Sequence, residues 1–304
     1  MKRLTLALGV VFTLLNFFPA QAATKPVAAK ITELPVLASG TFFPGNGGEW
    51  FDTLASKRAI YLVGTSEPTT GPTQGEVIAI SPTTGSQLWD LPIPTTFDAV
   101  ATAATIDLAG NIWVAGSSAG AVVTPVPTPT PTGVINPGGV VISPTPPTRS
   151  SLTNITIWQV SSAGSLVATY QYQANDLLVP STISFSKGTL QISGTDFKVS
   201  MDLLGKFSKF VSASFSMPKP ATTQTFKDGL YIWKSFISKS AIAGVTGWKP
   251  ATAGRVILKV GSRTGKVYSA LKVTDKLLKL DYSPGVGLVV TTSNPSGYSI
   301  SLLK

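Results

Sequence analysis

The chain has 304 residues, carries a formal net charge of +10 and contains neither cysteine nor histidine. The lack of cysteine excludes disulfides and thiolate catalysis, and the lack of histidine excludes histidine-based triads and the common zinc sites. Only 12% of the residues are charged, while Gly and Pro number 28 and 23. This composition favours short strands joined by turns, so we expect an all-β fold whose chemistry rests on carboxylates, Lys, Tyr, Ser and Thr.

Residues 1–22 have the pattern of a secretory signal peptide. Lys2 and Arg3 precede an apolar stretch over residues 4–18, and small residues end the segment at Ala20 and Ala22. That order is typical of a signal peptidase substrate. The apolar stretch is shorter than the roughly 20 residues that a helix needs to cross a bilayer. We predict cleavage after Ala22, a linker over residues 23–29, a secreted or extracytoplasmic protein and no membrane span.

Charge is distributed unevenly along the rest of the chain. Residues 24–150 hold five Lys or Arg and eight acids, whereas residues 151–304 hold 17 and six. A basic half can bind nucleic acid or acidic polymers. However, its lysines are spaced singly, as at Lys272, Lys276 and Lys279, which is typical of a solvated sheet face. No nucleic-acid partner is therefore predicted.

A repeated strand pattern indicates the fold. Five apolar segments of similar sequence lie near tight turns that contain Gly: residues 60–66, 112–118, 190–196, 230–236 and 288–294. The shortest step, from residue 190 to residue 230, is 40 residues long and has room for four strands. Because a unit of that size cannot bury both of its faces alone, radial stacking into a propeller is expected.

The ends of the chain complete this prediction. The last unit has three strands, and residues 31–39 form a strand that belongs to no other unit. We predict a five-bladed β-propeller over residues 30–304, in which the N-terminal strand closes the last blade and protects its edge. The predicted blades are 48–95, 96–173, 174–217, 218–274, and 275–304 with 30–40. Blade two carries a Pro/Thr-rich loop insertion at residues 119–152, whose composition favours extended polyproline II structure.

One segment resembles the repeat of quinoprotein-like (PQQ-type) propellers. The residues that carry this resemblance are Gly75, Val77, Ala79, Ile80, Thr84, Gly85 and Trp89. Residues 107–113, which begin with Asp107 and end with Trp113, are similar to a turn of other secreted propellers. The resemblance implies a fold only, because enzymes of that family use eight blades and a dedicated quinone site that the sequence does not contain. No organic cofactor is expected, and a quinoprotein dehydrogenase is the third hypothesis for function.

Four aspartates precede the first strands of predicted blades: Asp52, Asp98, Asp176 and Asp275. The predicted topology places them around one mouth of the central channel. Three interpretations stay open. The carboxylates hold a hard cation such as Ca²⁺, two of them act as acid and base on a glycosidic bond, or each caps its own turn.

Trp248 is the aromatic residue that we predict to be an exposed binding ring, because it lies in a blade insertion between Gly247 and Lys249. Together these features favour a secreted or envelope-associated binding or structural module that takes a glycan or protein ligand. The alternative is an extracellular carbohydrate-active enzyme that uses the aspartates at the channel mouth.

Overall fold

A computed structural model describes residues 27–40, 47–120, 152–174, 177–212 and 223–304. All regular elements in these ranges are β-strands. The described residues therefore contain no helix that could cross a membrane. The predicted signal peptide, most of the Pro/Thr-rich insertion and Asp176 lie outside the described residues.

The strands fall into five sheets. Two strands precede the first sheet: β1 (Ala29–Glu33) and β2 (Ala38–Gly40). The first sheet contains β3 (Gly47–Ala55), β4 (Ile60–Glu67), β5 (Gln74–Ile80) and β6 (Gln87–Pro92) in spatial order. The second contains β7 (Ala99–Ile106), β8 (Ile112–Ser118), β9 (Asn154–Val160) and β10 (Leu166–Gln173). The third contains β11 (Pro180–Ser186), β12 (Thr189–Gly194), β13 (Phe197–Asp202) and β14 (Val211–Ser212).

The last two sheets incorporate the N-terminal strands. The fourth sheet is built from β15 (Thr223–Asp228), β16 (Tyr231–Ser238), β17 (Val245–Thr246), β18 (Gly254–Gly261) and β19 (Val267–Val273). In space its order is β15-β16-β18-β19-β1-β17. The fifth sheet is built from β20 (Lys276–Ser283), β21 (Gly287–Asn294) and β22 (Gly297–Leu303), and β2 lies at its outer edge.

The sheets have a propeller-like arrangement, and the repeated sequence segments coincide with the second strands β4, β8, β12, β16 and β21. Separate hydrophobic clusters join the first sheet to the second, the second to the third, the fifth to the first, and the fourth to the fifth. The leading strands β11, β7, β3 and β20 lie next to one another in that order. Each sheet therefore buries apolar side chains against a neighbour, as the size of the repeat unit requires.

The third and fourth sheets are the exception to this pattern. No hydrophobic cluster within the described ranges joins them. The face of the fourth sheet that does not contact the fifth instead packs against β1, β17 and Trp248. The described sheets thus form an arc with four packed interfaces, in the order third, second, first, fifth, fourth.

The N-terminal segment pairs differently from the prediction for residues 31–39. Only β2 joins the fifth sheet, antiparallel to β22, with Ala38 opposite Ile300. The strand β1 runs parallel to β19, with Ile31 opposite Ala270, and so extends the fourth sheet. Pro35 lies between the two strands and cannot donate to a ladder, which explains why the segment divides there. The same segment therefore links two neighbouring sheets.

The turn between β7 and β8 shows how local sequence builds this framework. The Asp107 carboxylate accepts hydrogen bonds from the Asn111 main-chain N–H, the Asn111 side chain and the Trp113 indole, each 2.9 Å long. Burial opposes ionisation, but these donors outweigh it and lower the pKa of Asp107. Gly110 completes the turn with a positive φ of 88°. The motif that begins at Asp107 is thus a structural turn.

Candidate functional site

Asp52 is buried among the leading strands. Its Oδ1 lies 2.6 Å from Lys279 Nζ on β20, and its Oδ2 accepts the Ala104 N–H of β7 at 3.0 Å. The Thr53 N–H donates a third bond to Oδ1 at 2.8 Å. Asp52 therefore connects the first, second and fifth sheets, and its charge is balanced by Lys279.

A second acid that the sequence analysis did not single out lies beside this ion pair. The Asp281 carboxylate accepts the Ala55 N–H at 2.6 Å. Burial raises the pKa of Asp281, although the Ala55 N–H and the nearby Lys279 oppose the shift. The two aspartates and Lys279 form one network between β3 and β20. Finding it from sequence would have required the register between two non-consecutive sheets.

The other predicted aspartates that the structure describes lie in connections between sheets. Asp98 is exposed and accepts the Thr73 N–H at 2.9 Å, and Asp275 is half-buried and accepts the Asn294 side-chain N–H at 3.1 Å. No group of three or more acidic side chains in the described ranges is placed to share a metal ion. Instead, Asp98 and Asp275 each adjoin a separate groove.

The groove beside Asp98 has a volume of about 410 Å³ and lies between the second sheet and the connection from β6 to β7. We call it the neutral groove because no charged residue lines it. Its lining residues are Pro94, Thr95, Thr96, Phe97, Ser118, Ala119, Gly120, Asn154, Thr156, Trp158, Thr169 and Gln171. It opens at the end of β8 and the start of β9, where the blade-two insertion leaves the sheet. The sequence analysis predicted the loop insertion of blade two at this position.

The polar groups of the neutral groove are held in place by one another. Thr156 Oγ1 lies 2.7 Å from Ser118 Oγ, and Gln171 Nε2 donates to the same Ser118 oxygen at 3.1 Å. Trp158 is 2% exposed and lies in the hydrophobic cluster between the first and second sheets, so it forms a rigid floor. The Phe97 side chain is 39% exposed at the rim. The groove thus combines ordered hydroxyl and amide groups with an accessible aromatic ring.

The groove that Asp275 lines has a volume of about 310 Å³ and lies between the fourth and fifth sheets. We call it the acidic groove because it contains two carboxylates. Its lining residues are Glu33, Leu34, Val36, Val273, Thr274, Asp275, Thr292, Ser299 and Ser301. Glu33 forms an exposed ion pair of 3.6 Å with Lys272 at its edge.

The two grooves occupy equivalent places in the repeat. Val114 and Val290 are the third residues of the repeated segments, and they pair with Trp158 and Ser301 on the next strand. Gly116 and Thr292 follow two residues later in the same segments and pair with Thr156 and Ser299. The position that Trp158 occupies on the floor of the neutral groove is therefore occupied by Ser301 in the acidic groove.

A pair of acids, the buried Glu76 and the half-buried Asp90, lies outside both grooves. Glu76 on β5 is 1% exposed, and neither of its carboxylate oxygens has a hydrogen-bond partner. Burial raises the pKa of Glu76 to about 7, and the neighbouring Asp90 charge adds to the shift while Ser66 opposes it. Burial also raises the pKa of Asp90. The two carboxyls also lie within hydrogen-bonding reach of each other, so a proton held between them would join the pair.

Trp248 does not offer an exposed ring. Its side chain is only 6% exposed and packs against Val256, Leu258 and Ala270 on the fourth sheet. A Cβ atom at Gly254 would lie 2.9 Å from the ring, which shows how closely the main chain approaches it. The expected exposure is wrong because the insertion folds back and covers a sheet face that would otherwise be solvated.

Comparisons with known proteins identify no family for this chain. No protein-family model matches it, and no curated protein matches it. Solved structures similar to it include a protein of unknown function from Bacteroides caccae, at 13% identity and a TM-score of 0.36, covering 82% of this chain and 73% of that one. The Pan2 WD40 domain of Neurospora crassa matches at 11% identity and a TM-score of 0.33, covering 84% of this chain and 65% of that one. The quinohemoprotein alcohol dehydrogenase of Comamonas testosteroni matches at 10% identity and a TM-score of 0.34, covering 79% of this chain and 49% of that one. At these TM-scores the similarities carry no argument about this chain.

Proposed function

We propose that this protein is a secreted or envelope-associated binding module that holds a neutral glycan in the neutral groove. The observation that carries the proposal is the chemistry of the groove lining. It presents hydroxyl and amide side chains with no charge among them, and the Phe97 ring lies at its rim. A volume of about 410 Å³ is within the usual range of small-ligand sites, which is roughly 300–1,000 Å³.

The hydrogen-bonding capacity of the lining matches a polyhydroxyl ligand. Each sugar hydroxyl both donates and accepts, and the side chains of Ser, Thr, Asn and Gln also do both. The Asn154 side chain also lines the groove, and its amide can both donate and accept hydrogen bonds. An anionic ligand would instead favour Lys or Arg at these positions.

The aromatic rim supports the same ligand class. A sugar ring has an apolar face of C–H groups, and the exposed Phe97 ring offers a flat apolar surface for it. Trp158 beneath the groove is packed and cannot collapse into the space. A rigid floor reduces the free-energy cost of ordering the site when a ligand binds.

Export and blade number belong to the same proposal. The signal-like residues 1–22 support secretion, with cleavage after Ala22. We take each of the five sheets as one blade, because each contains four antiparallel strands and one copy of the repeated segment. A protein ligand is the other binding partner considered. The groove favours a glycan because three of its polar residues, Ser118, Asn154 and Thr156, are buried, where a small ligand reaches them more readily than a flat protein surface does.

The test is binding of the purified mature chain to a panel of neutral polysaccharides by affinity electrophoresis, followed by calorimetry with oligosaccharides of the one retained most. We expect Phe97→Ala to weaken binding by about tenfold or more, which corresponds to about 1.4 kcal/mol. Tyr268→Ala is the control, because Tyr268 is an exposed aromatic residue far from the groove on β19. Equal losses in both variants would contradict the assignment of the groove.

The same panel separates binding from hydrolysis by Asp52, Asp98, Asp176 and Asp275. Release of reducing ends by the wild type, lost in a folded Asp→Asn variant, would favour a carbohydrate-active enzyme. Retention without release of reducing ends supports the binding module. The ion pair between Asp52 and Lys279 supports a structural role for Asp52, since a catalytic carboxylate needs access to substrate.

A further inference from the structure

The acidic groove contains a buried hydroxyl without a partner. Ser301 lines the groove and is 1% exposed, and its Oγ makes no hydrogen bond within the described residues. Side chains alternate along β22: Ile300 and Leu302 pack towards the first sheet, so Ser301, like Leu303, points towards the fourth sheet and into the groove. Native proteins leave few buried polar atoms unpaired. A buried hydroxyl that points into a groove therefore indicates a ligand that supplies the missing hydrogen bond.

Asp275 adds an independent observation, which is a carboxylate without a counter-charge. Asp275 is half-buried where it lines the groove, and it accepts a hydrogen bond from the neutral Asn294 side chain. Within the described part of the chain, no lysine or arginine forms an ion pair with Asp275. A carboxylate that is partly removed from water and has no ion pair favours a cation beside it.

Glu33 brings a second carboxylate to the groove, from a different segment of the chain. Its ion pair with Lys272 is 3.6 Å long, and both side chains are largely exposed. Because exposed pairs of this kind contribute little to stability, a ligand ammonium group can take the place of Lys272. Leu34 and Val273 belong to the hydrophobic cluster between the fourth and fifth sheets and give the groove an apolar wall. The groove thus combines two carboxylates with apolar surface.

Strand register sets the length of a ligand that contacts both ends of the groove. Counted along β21, Asn294, which holds Asp275, lies four residues beyond the position opposite Ser301. At about 3.4 Å per residue, these two positions are roughly 13 Å apart. Thr292 and Ser299 form a cross-strand pair between them and also line the groove. A ligand that contacts both the Ser301 hydroxyl and the Asp275 carboxylate is therefore extended.

We propose that the acidic groove binds a linear aliphatic polyamine. Its ammonium groups donate to the Asp275 and Glu33 carboxylates, another N–H donates to the Ser301 hydroxyl, and its methylene groups lie along Leu34 and Val273. Two carboxylates would repel an anionic ligand. The volume of about 310 Å³ is at the lower end of the range for small-ligand sites, which agrees with a thin, unbranched molecule. This site is separate from the neutral groove and does not depend on the glycan proposal.

The experiment is calorimetric titration of the full mature chain with spermidine, a linear triamine. The control ligand is 1,8-octanediol, an uncharged molecule of similar length. We expect one spermidine per chain and at least tenfold weaker binding of octanediol. The shorter 1,5-diaminopentane should bind less tightly than spermidine, because it cannot contact both ends of the groove. Raising NaCl from 50 to 500 mM should weaken spermidine binding by about tenfold, since charged groups make the contacts.

Two variants test the named groups. Asp275→Asn should weaken spermidine binding by about tenfold or more, because a charged partner is lost. Ser301→Ala should weaken it by about threefold or more without lowering Tm, since the free chain loses only an unpaired hydroxyl. Asp196→Asn is the matched control, because Asp196 is an exposed acid in the turn between β12 and β13, and it should bind spermidine as the wild type does.

The proposal is overturned if spermidine does not bind or if octanediol binds equally well, because the carboxylates would then contribute nothing. It is also overturned if Asp275→Asn loses no more affinity than Asp196→Asn. A lower Tm with unchanged affinity in Ser301→Ala would show that this hydroxyl serves packing alone, and would likewise overturn the placement of the ligand.

Discussion

The neutral and acidic grooves are built on the same positions of the repeat but present different chemistry. Trp158 forms the floor of the first, and Ser301 occupies the equivalent place in the second. The connection from β6 to β7 borders the neutral groove, whereas the N-terminal segment that contains Glu33 borders the acidic groove. The β-framework thus determines where a groove lies, and a few substituted positions determine what it can bind.

The main chain beneath the two grooves also differs in how much space it leaves for a side chain. At Gly116, a Cβ atom would lie 1.8 Å from the Val100 carbonyl oxygen and 2.8 Å from the Trp158 ring. The equivalent residue in the fifth sheet is Thr292, whose side chain is accommodated and lines the acidic groove. A large floor residue and a close main-chain contact thus require glycine in one groove, and a small floor residue allows threonine in the other.

Exchanging these two residues gives the largest expected effect. We expect Gly116→Thr to lower the free energy of unfolding by about 3 kcal/mol or more, because a main-chain atom must move to admit the side chain. Thr292→Gly should cost about 1–2 kcal/mol, through lost burial and the greater flexibility of glycine. Urea denaturation followed by tryptophan fluorescence measures both. Equal losses would show that the two positions are not constrained differently.

The N-terminal segment that borders only the acidic groove gives the second prediction. At Gly85, whose φ is +72°, a Cβ atom would lie 2.1 Å from the Leu37 carbonyl oxygen. At Gly188, whose φ is +77°, nothing lies within 4 Å of the same atom. Both glycines share the cost of a positive φ, so Gly85→Ala should be about 2 kcal/mol more destabilising than Gly188→Ala.

Thermal melts of the two alanine variants measure this difference. Deletion of residues 30–40 tests the same contact more severely, and we expect it to lower Tm far more than deletion of residues 24–29. Indistinguishable melts for the two deletions would contradict a structural role for the N-terminal segment at the acidic groove.

Salt dependence gives the smallest expected effect and separates the grooves by charge. No charged residue lines the neutral groove, so raising NaCl from 50 to 500 mM should change the Kd of a bound neutral oligosaccharide less than about twofold. Isothermal calorimetry at the two salt concentrations measures this ratio. A tenfold weakening would indicate that charged residues outside the groove supply the binding energy.

The framework could be predicted from sequence because its determinants are local. Apolar repeats and turn glycines such as Gly110 lie within one hairpin, and they correctly located the second strand of every sheet. The all-β, propeller-like fold follows from that period. The division of the N-terminal segment at Pro35 was missed, because the sequence alone does not show which of two sheet edges each half will join.

The sites were harder to predict because they depend on long-range register. Asp98 and Asp275 were singled out by position, and each adjoins a groove, but the side chains that give each groove its chemistry come from several strands. Glu76 and Asp90 meet only through the register of β5 and β6. Trp248 appeared exposed by its place in a loop, and its burial depends on tertiary packing against the fourth sheet.

Hydrogen exchange can show which groove holds the ligand. The measurement compares the mature chain with and without a saturating neutral oligosaccharide. Binding in the neutral groove predicts slower amide exchange at residues 95–97, 118–120 and 154–156, and unchanged exchange at residues 273–275 and 299–301. Protection confined to residues 273–275 and 299–301 would place the ligand in the acidic groove and contradict the proposal of a binding site in the neutral groove.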